Sequence, residues 1–253
     1  MNKARNLLLT LLTLLLLVTL VACSKKDNAD IEINDKNDSV DTTESTETTE
    51  SETQPESSIH VDELEEASIN LGNGMRITEI GKYTGIYMED GSDEIVSDVM
   101  MLAVKNEGEE TIQYAEIKVP VGDEEAFFSL STLTPGSTII LLEQNRMEYV
   151  EAEYSTALAE NVILFEEPLS LCEDKLKFQI LDGALNVSNI SGEDIGGDII
   201  IYYKNSAADV FYGGITYRVR IEGGLKKDEI KQIMADHFSE SGSSIMFVTC
   251  GGE

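Results

Sequence analysis

Few side chains in this sequence have the types and the spacing that catalysis requires. The 253 residues include only two histidines, His60 and His237. A Ser-His-Asp arrangement needs a separate acid that orients the histidine ring, and Asp236, the direct neighbour of His237, is poorly placed for this. The sequence also lacks a His-Glu-x-x-His motif, a Cys-x-x-Cys pair, a phosphate-binding Gly-x-x-x-x-Gly-Lys loop and a dinucleotide fingerprint. We therefore predict that the protein is not an enzyme and that it binds no cofactor.

One acidic stretch has the oxygen ligands that calcium prefers. It contains Asp90, Asp93, Glu94 and Asp98, and carboxylate oxygens are the usual protein ligands of Ca²⁺. The spacing does not match an EF-hand loop, however, and the chain has 48 acidic residues, so such a cluster also arises in a solvated turn. A solvated turn is the interpretation that we favour, and these four residues are kept as a candidate calcium site.

Two of the three cysteines, Cys172 and Cys250, lie in the second half of the chain. In an extracytoplasmic protein two such residues can form a disulfide. Alternatively, both are small buried apolar residues. The two interpretations stay open because a sequence does not give the distance between two cysteines in the fold.

The third cysteine, Cys23, follows an N-terminal segment with the features of a secretory signal. Lys3 and Arg5 provide a basic start, and residues 7–21 form an apolar run that only threonines interrupt. This run is shorter than the roughly 20 residues that a membrane-spanning helix needs. It therefore favours a signal peptide over a permanent membrane span.

The end of this segment, Leu20-Val21-Ala22-Cys23, resembles the lipobox of bacterial lipoproteins. The resemblance implies that residues 1–22 are removed, that the signal peptidase recognises Leu20, Val21 and Ala22, and that the Cys23 thiol carries the lipid, with palmitate among the expected acyl chains. An ordinary signal peptide or a single-span anchor is the alternative. Because two acyl chains attach a protein firmly to a bilayer, we expect the protein at the extracytoplasmic face of the cell membrane.

Residues 23–66 form an acidic segment that is rich in Ser and Thr. The segment has no sustained apolar pattern with which to bury surface, and its like charges repel one another. This composition predicts a disordered tether.

The formal net charge of the whole chain is -30, which repels nucleic acid. The expected partners are the membrane, through the lipid, and an unidentified protein or cell-envelope component.

From about residue 67 the sequence is typical of an all-β fold. Short apolar runs alternate with turns rich in Gly, Asn, Asp and Ser, and Asn73-Gly74 is a hairpin signal because both residues tolerate positive φ. Two segments look alike, residues 99–106 and 198–205, and each ends in Lys-Asn before a second apolar strand. We therefore predict two tandem antiparallel β-sandwiches, at residues 67–167 and 168–253.

The repeat also bears on residues 225–234, which could form an amphipathic helix. Their counterpart is residues 133–141, in which 135–136 is a turn and 138–141 is strand-like, and residues 243–249 match 161–165. A turn at 227–228 and a strand at 229–234 are therefore favoured. The strand, the Asn turn and the following paired strand resemble the immunoglobulin-like repeats of the FxLYD type in Gram-positive surface proteins. The resemblance implies a Gram-positive bacterium, although a Gram-negative one stays open. The chain has no Trp and lacks the Cys…Trp…Cys framework of true immunoglobulin domains.

The combined prediction is a lipid-anchored extracytoplasmic protein with a non-catalytic binding or spacer role. The alternative is a solute-capturing or envelope-assembly lipoprotein whose ligand lies between the two modules.

Overall fold

The computed structural model describes residues 60–251, with side chains from residue 64, and this part of the chain is all-β. Its strands, numbered in chain order, are β1 (His60–Gly72), β2 (Met75–Ile86), β3 (Ile95–Asn106), β4 (Ile112–Val121), β5 (Glu124–Leu133), β6 (Thr138–Leu142), β7 (Leu158–Leu164), β8 (Leu176–Leu181), β9 (Ala184–Asn189), β10 (Ile199–Ala207), β11 (Val210–Ile221), β12 (Ile230–Met234) and β13 (Ser243–Cys250). No helix capable of spanning a membrane occurs within these residues. The predicted signal peptide, Cys23 and the linker up to residue 59 lie outside the described part.

The strands form two β-sandwiches that share one long sheet. Seven strands pair in the order β1-β2-β3-β6-β11-β10-β13, and two three-stranded sheets have the orders β5-β4-β7 and β12-β9-β8. The first sandwich consists of β1-β2-β3-β6 packed on β5-β4-β7, and the second consists of β11-β10-β13 packed on β12-β9-β8. The predicted all-β sandwich fold is therefore confirmed. The predicted boundary at 167/168 falls between β7 and β8.

Each sandwich has its own apolar core, because inward-facing residues alternate along the strands. In the first, Ile77, Val104 and Phe128 are buried among residues of both sheets. In the second, Val187 and Ile201 have the same role. Such alternation, with polar residues facing solvent, is what one buried face of an antiparallel sheet requires.

The first hairpin forms where the sequence predicts it. β1 and β2 are joined at Asn73 and Gly74, which have φ values of 49° and 79°, as a two-residue type I′ turn needs. β1 begins at His60, earlier than residue 67, where the folded part was predicted to start. The sequence pattern misses this extension because β1 is held by backbone pairing with β2, while Glu65 and Glu66 remain exposed.

Apart from β1, the strands of the two sandwiches are equivalent, but not in the alignment predicted from Lys105-Asn106 and Lys204-Asn205. β2-β3-β6 corresponds to β8-β9-β12, and β5-β4-β7 corresponds to β11-β10-β13. This makes β9, not β10, the counterpart of β3, so the Lys-Asn match is wrong by one strand. The true match is between Asn106 and Asn189, which are both buried and end β3 and β9.

These two asparagines have the same structural role. Asn106 donates from its Nδ2 to the carbonyls of Glu110 and Leu133, at 2.8 and 3.0 Å. Asn189 donates from its Nδ2 to the carbonyls of Glu193 and Lys226, at 2.7 and 2.9 Å. In each sandwich one buried amide thus holds the turn that leads from one sheet to the other.

The later part of the predicted repeat is correct. Residues 230–234 form the strand β12 rather than a helix, and β12 is the counterpart of β6, as predicted. β13 likewise corresponds to β7. The strand forms rather than the helix because β12 pairs with β9, which gives alternate residues of β12 backbone hydrogen-bond partners on a neighbouring strand.

Candidate functional site

The sandwiches meet at a junction formed by β6, β11 and the loop after β2. This junction contains two buried ionisable groups, the ammonium of Lys204 and the carboxyl of Glu89. The ladder between β6 and β11 is parallel and short, with Thr138 opposite Val210 and Ile140 opposite Tyr212. Between them, Ile139 lies opposite Phe211, and Phe211 packs into the core of the first sandwich. The junction therefore continues both the sheet and the core of the first sandwich.

Two adjacent glycines let β11 pass close to the first sandwich. A Cβ on Gly214 would lie 1.9 Å from the carbonyl oxygen of Ser129, and a Cβ on Gly213 would lie 2.6 Å from that of Met88. Gly213 also has a φ of +81°, which disfavours other residues. The close approach of the two backbones thus depends on these positions having no side chain.

β11 bulges at these glycines, and Lys204 of β10 occupies the space opposite the bulge. The ladder between β10 and β11 jumps from Tyr203 opposite Tyr217 to Asn205 opposite Tyr212. The carbonyls of Gly213, Gly214 and Ile215 consequently have no ladder partner on β10.

The ammonium group of Lys204 supplies the hydrogen bonds that these carbonyls would otherwise lack. Its Nζ donates to the carbonyls of Gly213, Gly214 and Ile215, at 3.1, 3.2 and 2.7 Å. Lys204 is fully buried, and burial lowers the pKa of its ammonium group to about 7, although the Glu89 carboxylate acts in the opposite direction. A buried cation of this kind is tolerated only because its donors are satisfied.

Glu89 bonds to both sandwiches at once. Its Oε1 accepts the backbone N–H of Leu142, in β6, at 2.8 Å, and its Oε2 accepts the N–H of Gly214, in β11, at 2.7 Å. The residue as a whole is partly buried, but its carboxyl group lies inside the protein. Burial raises the pKa of this carboxyl to about 7, against the two N–H bonds and Lys204, which favour the charged form.

Ser131 and Thr216 close the junction on the side of β5. The Ser131 hydroxyl donates to the carbonyl of Gly214 at 2.8 Å, and its oxygen lies 2.8 Å from the Thr216 hydroxyl. The polar groups of the junction are therefore bonded to one another. The arrangement joins the two sandwiches. Within the described residues, it does not place a nucleophile beside a histidine that could act as a base.

The four candidate calcium ligands contact three different side chains, and Asp90 and Glu94 share one of them. Arg146 contacts Asp90 at 3.2 Å and Glu94 at 2.6 Å, while Nδ1 of His237 lies 3.4 Å from Asp93. Asp98 lies 3.9 Å from Lys82. No group of three or more His, Cys, Asp or Glu side chains with metal-site geometry occurs in residues 64–251. Asp90, Asp93, Glu94 and Asp98 stay a candidate calcium site, and a solvated turn stays the favoured interpretation.

Cys172 and Cys250 lie side by side in the second sandwich. Both are partly buried free thiols, and the Cys250 thiol is hydrogen-bonded to Cys172. Burial, together with that bond, raises the pKa of Cys250 to about 12. The two residues are thus neighbours, and a disulfide between them stays one of the two interpretations that the sequence allows.

Outside the junction, a cleft of about 370 Å³ lies between β1 and the segment at 152–155. Its lining includes Glu65, Glu66 and Glu153 around Ile80 and Tyr154. The excess of carboxylates makes this cleft a poor match for an anionic or apolar ligand.

Sequence reasoning missed Glu89, Lys204 and the glycine pair. In the sequence, Lys204 belongs to the Lys-Asn pair of the misaligned repeat, and Glu89 is one of 48 acidic residues. One signal was available. Val104 and Val187 each stand two residues before the buried Asn, and Glu110 and Glu193 each stand four residues after it. Aligning these features matches β3 with β9 and removes the match between Lys105-Asn106 and Lys204-Asn205.

Comparison with known proteins identifies no relative: no protein-family model, no curated protein and no solved structure matches this chain.

Proposed function

We propose that this protein is a lipid-anchored protein of the extracytoplasmic face of the cell membrane, with a non-catalytic spacer or binding role. Attachment is assigned to Cys23, and residues 24–59 are the tether. The two sandwiches form the part that is presented away from the membrane.

The attachment is proposed from the Leu20-Val21-Ala22-Cys23 sequence alone. The sealed junction is the observation that carries the spacer role. Phe211 fills part of the first core, and Glu89 and Lys204 occupy the space between the sandwiches with their own hydrogen bonds. A unit joined by a shared sheet and a buried polar contact has a fixed relative orientation of its halves. Such rigidity suits a spacer or a presenting scaffold.

The same observation disfavours the alternative, a ligand site between the modules. A ligand there would have to displace Glu89 from Leu142 and Gly214, or Lys204 from three carbonyls. Leaving such buried groups without partners costs roughly 1–3 kcal/mol each. We therefore favour the spacer role over a solute-binding role at the junction.

The lipid attachment is tested by mass spectrometry of the N-terminal peptide from the membrane-expressed full chain. We expect cleavage before Cys23 and a mass increase that matches acyl chains, and incorporation of a palmitate analogue that Cys23→Ala abolishes and Cys172→Ala leaves unchanged. An unmodified Cys23 in the membrane fraction would contradict the anchor.

The spacer role is tested by the distance between spin labels at Glu109→Cys and Glu222→Cys, with Cys172 and Cys250 replaced by Ser. Both labelled positions are exposed, one on each sandwich. We expect one narrow distance distribution that a panel of sugars, amino acids, peptides and divalent metals does not change. A compound that shifts this distribution and also raises the melting temperature would favour the solute-binding alternative.

A further inference from the structure

The internal repeat reveals an edge that is covered in the first sandwich and open in the second. β6 pairs with β3 on one side and with β11 on the other. Its counterpart β12 pairs with β9, and no strand of the described residues lies on its other side. At the covered edge, Thr138 donates its backbone N–H to the carbonyl of Asp209 at 3.1 Å. By equivalence, the N–H of Ile230 points out of the open edge.

The matching edge is open on the first sandwich. β11 pairs with β10 and with β6, whereas among the described strands its counterpart β5 pairs only with β4. The residues of β5 that correspond to Val210–Tyr212 are 124–126. Beyond them the edge is closed, because the N–H of Gln144 donates to the carbonyl of Phe127 at 2.9 Å. The free stretch is therefore as short as the existing ladder between β6 and β11.

The two open edges carry opposite charges at equivalent positions. At the existing junction the facing residues are Ile139 and Phe211, which are both buried. Their counterparts are Lys231 on β12 and Glu125 on β5, which are both exposed. The apolar pair at the existing junction thus corresponds to a pair of opposite charges on the two open strand edges.

The flanking residues on the β5 side are acidic as well, since Asp123 and Glu124 at its start are exposed. On the β12 side, Lys226 and Lys227 are exposed, but Asp228 and Glu229 follow them and Lys226 contacts Asp194 at 3.1 Å. In a chain with a net charge of -30, general repulsion between copies is expected. The charge match therefore rests on Lys231, whose attraction to Glu125 opposes that repulsion at one defined position.

Exposed apolar residues mark the same edge. Ile230 and Met234 of β12 are 68% and 73% exposed, although most large apolar residues of this fold are buried. An open strand edge with exposed apolar side chains is a template for pairing with another strand.

We propose that β12 of one copy pairs in parallel with residues 124–126 of β5 in a second copy, with Lys231 opposite Glu125. The contact repeats the geometry of the ladder between β6 and β11. Because donor and acceptor edges lie on different sandwiches, the contact is head-to-tail and extends into oligomers rather than closing as a symmetric dimer. The interface follows from the strand edges and is independent of the lipid anchor.

Zero-length crosslinking of the full chain in nonionic detergent tests the contact. A carbodiimide joins a carboxylate to an amine with loss of water, so it links only groups in direct contact. Copies labelled with ¹⁴N and ¹⁵N are mixed, and peptides that carry both labels are intermolecular. We expect a mixed-label peptide joining Lys231 to Glu125. Mixed-label peptides that join only other surfaces would overturn the proposal.

Charge reversal gives the matched controls. Lys231→Glu and Glu125→Lys each place like charges at the contact, and each should weaken self-association in sedimentation velocity by at least ~10-fold. An equimolar mixture of the two variants should associate again, because every contact then joins opposite charges. Both residues are exposed, so the circular dichroism and the melting temperature should match those of the wild type. A chain that stays monomeric at all concentrations, or that associates equally well after both reversals, would overturn the interface.

Discussion

The buried carboxyl of Glu89 predicts how the stability of the junction depends on pH. Burial raises its pKa from 4.5 to about 7 in the folded protein. Between these two values the folded state holds a proton that the unfolded state has released. The free energy of unfolding contributed by Glu89 is therefore fully present below pH 4.5, and it is lost as the pH rises towards 7.

Glu89→Gln removes this dependence, because glutamine resembles the protonated carboxyl and cannot ionise. A shift of about 2.5 pH units corresponds to roughly 3 kcal/mol. We expect the free energy of unfolding of the variant, relative to wild type, to rise by about that amount between pH 4.5 and 7.5. Lys204 acts in the same direction, since losing the Glu89 charge lowers its pKa further and makes the variant more stable as the pH rises.

The measurement is urea unfolding at several pH values between 4.5 and 7.5, followed by circular dichroism and by tyrosine fluorescence, since the chain has nine Tyr and no Trp. Glu107→Gln is a control of opposite sign. The hydrogen bond from Arg76 lowers the pKa of Glu107, so its relative stability should fall or stay level as the pH rises. If the difference in the free energy of unfolding between Glu89→Gln and wild type changes by less than ~0.5 kcal/mol across this range, the raised pKa of Glu89 is refuted.

Three further changes test the junction, the repeat and the cysteine site. Gly214→Ala should destabilise by at least ~2 kcal/mol in urea unfolding, because its Cβ would lie 1.9 Å from a backbone oxygen, whereas Gly196→Ala meets nothing within 4 Å and should change little. Asn189→Ala should lower the free energy of unfolding by about 2–4 kcal/mol, because it loses hydrogen bonds to three carbonyls. Asn205→Ala, which loses one hydrogen bond from Ser243, should cost about 1 kcal/mol or less. Equal melting temperatures of these two variants would contradict the match between Asn106 and Asn189. Under reducing conditions at pH 8, iodoacetamide should alkylate Cys250 at least ~10-fold more slowly in the folded protein than in urea, because its pKa of about 12 leaves little thiolate; equal rates would contradict its burial.

Local patterns were sufficient for the elements whose causes are local. Asn73-Gly74 predicted the first hairpin because a type I′ turn needs residues that accept positive φ, and both do. Alternating apolar residues predicted the strands and the all-β class because a half-buried strand exposes every second side chain. The strand at β12 was also predictable, since its resemblance to β6 outweighed its helical periodicity.

The strand equivalence and the junction were decided by tertiary structure. Lys105-Asn106 and Lys204-Asn205 look alike in sequence, yet Lys105 lies on a regular strand and Lys204 caps a bulge in β11. The pattern could not tell them apart, because the carbonyls that Lys204 binds lie on the next strand and are freed only when that strand bulges against the first sandwich.

By itself, the sequence determined the strands, the turns, the charge and the predicted attachment at Cys23, since each depends on neighbouring residues or on composition. Only the folded chain decided that Glu89 meets Gly214, that Phe211 enters the first core and that the β12 edge stays open. These contacts join residues far apart in the chain. They depend on how the two sandwiches share one sheet, which no local pattern encodes.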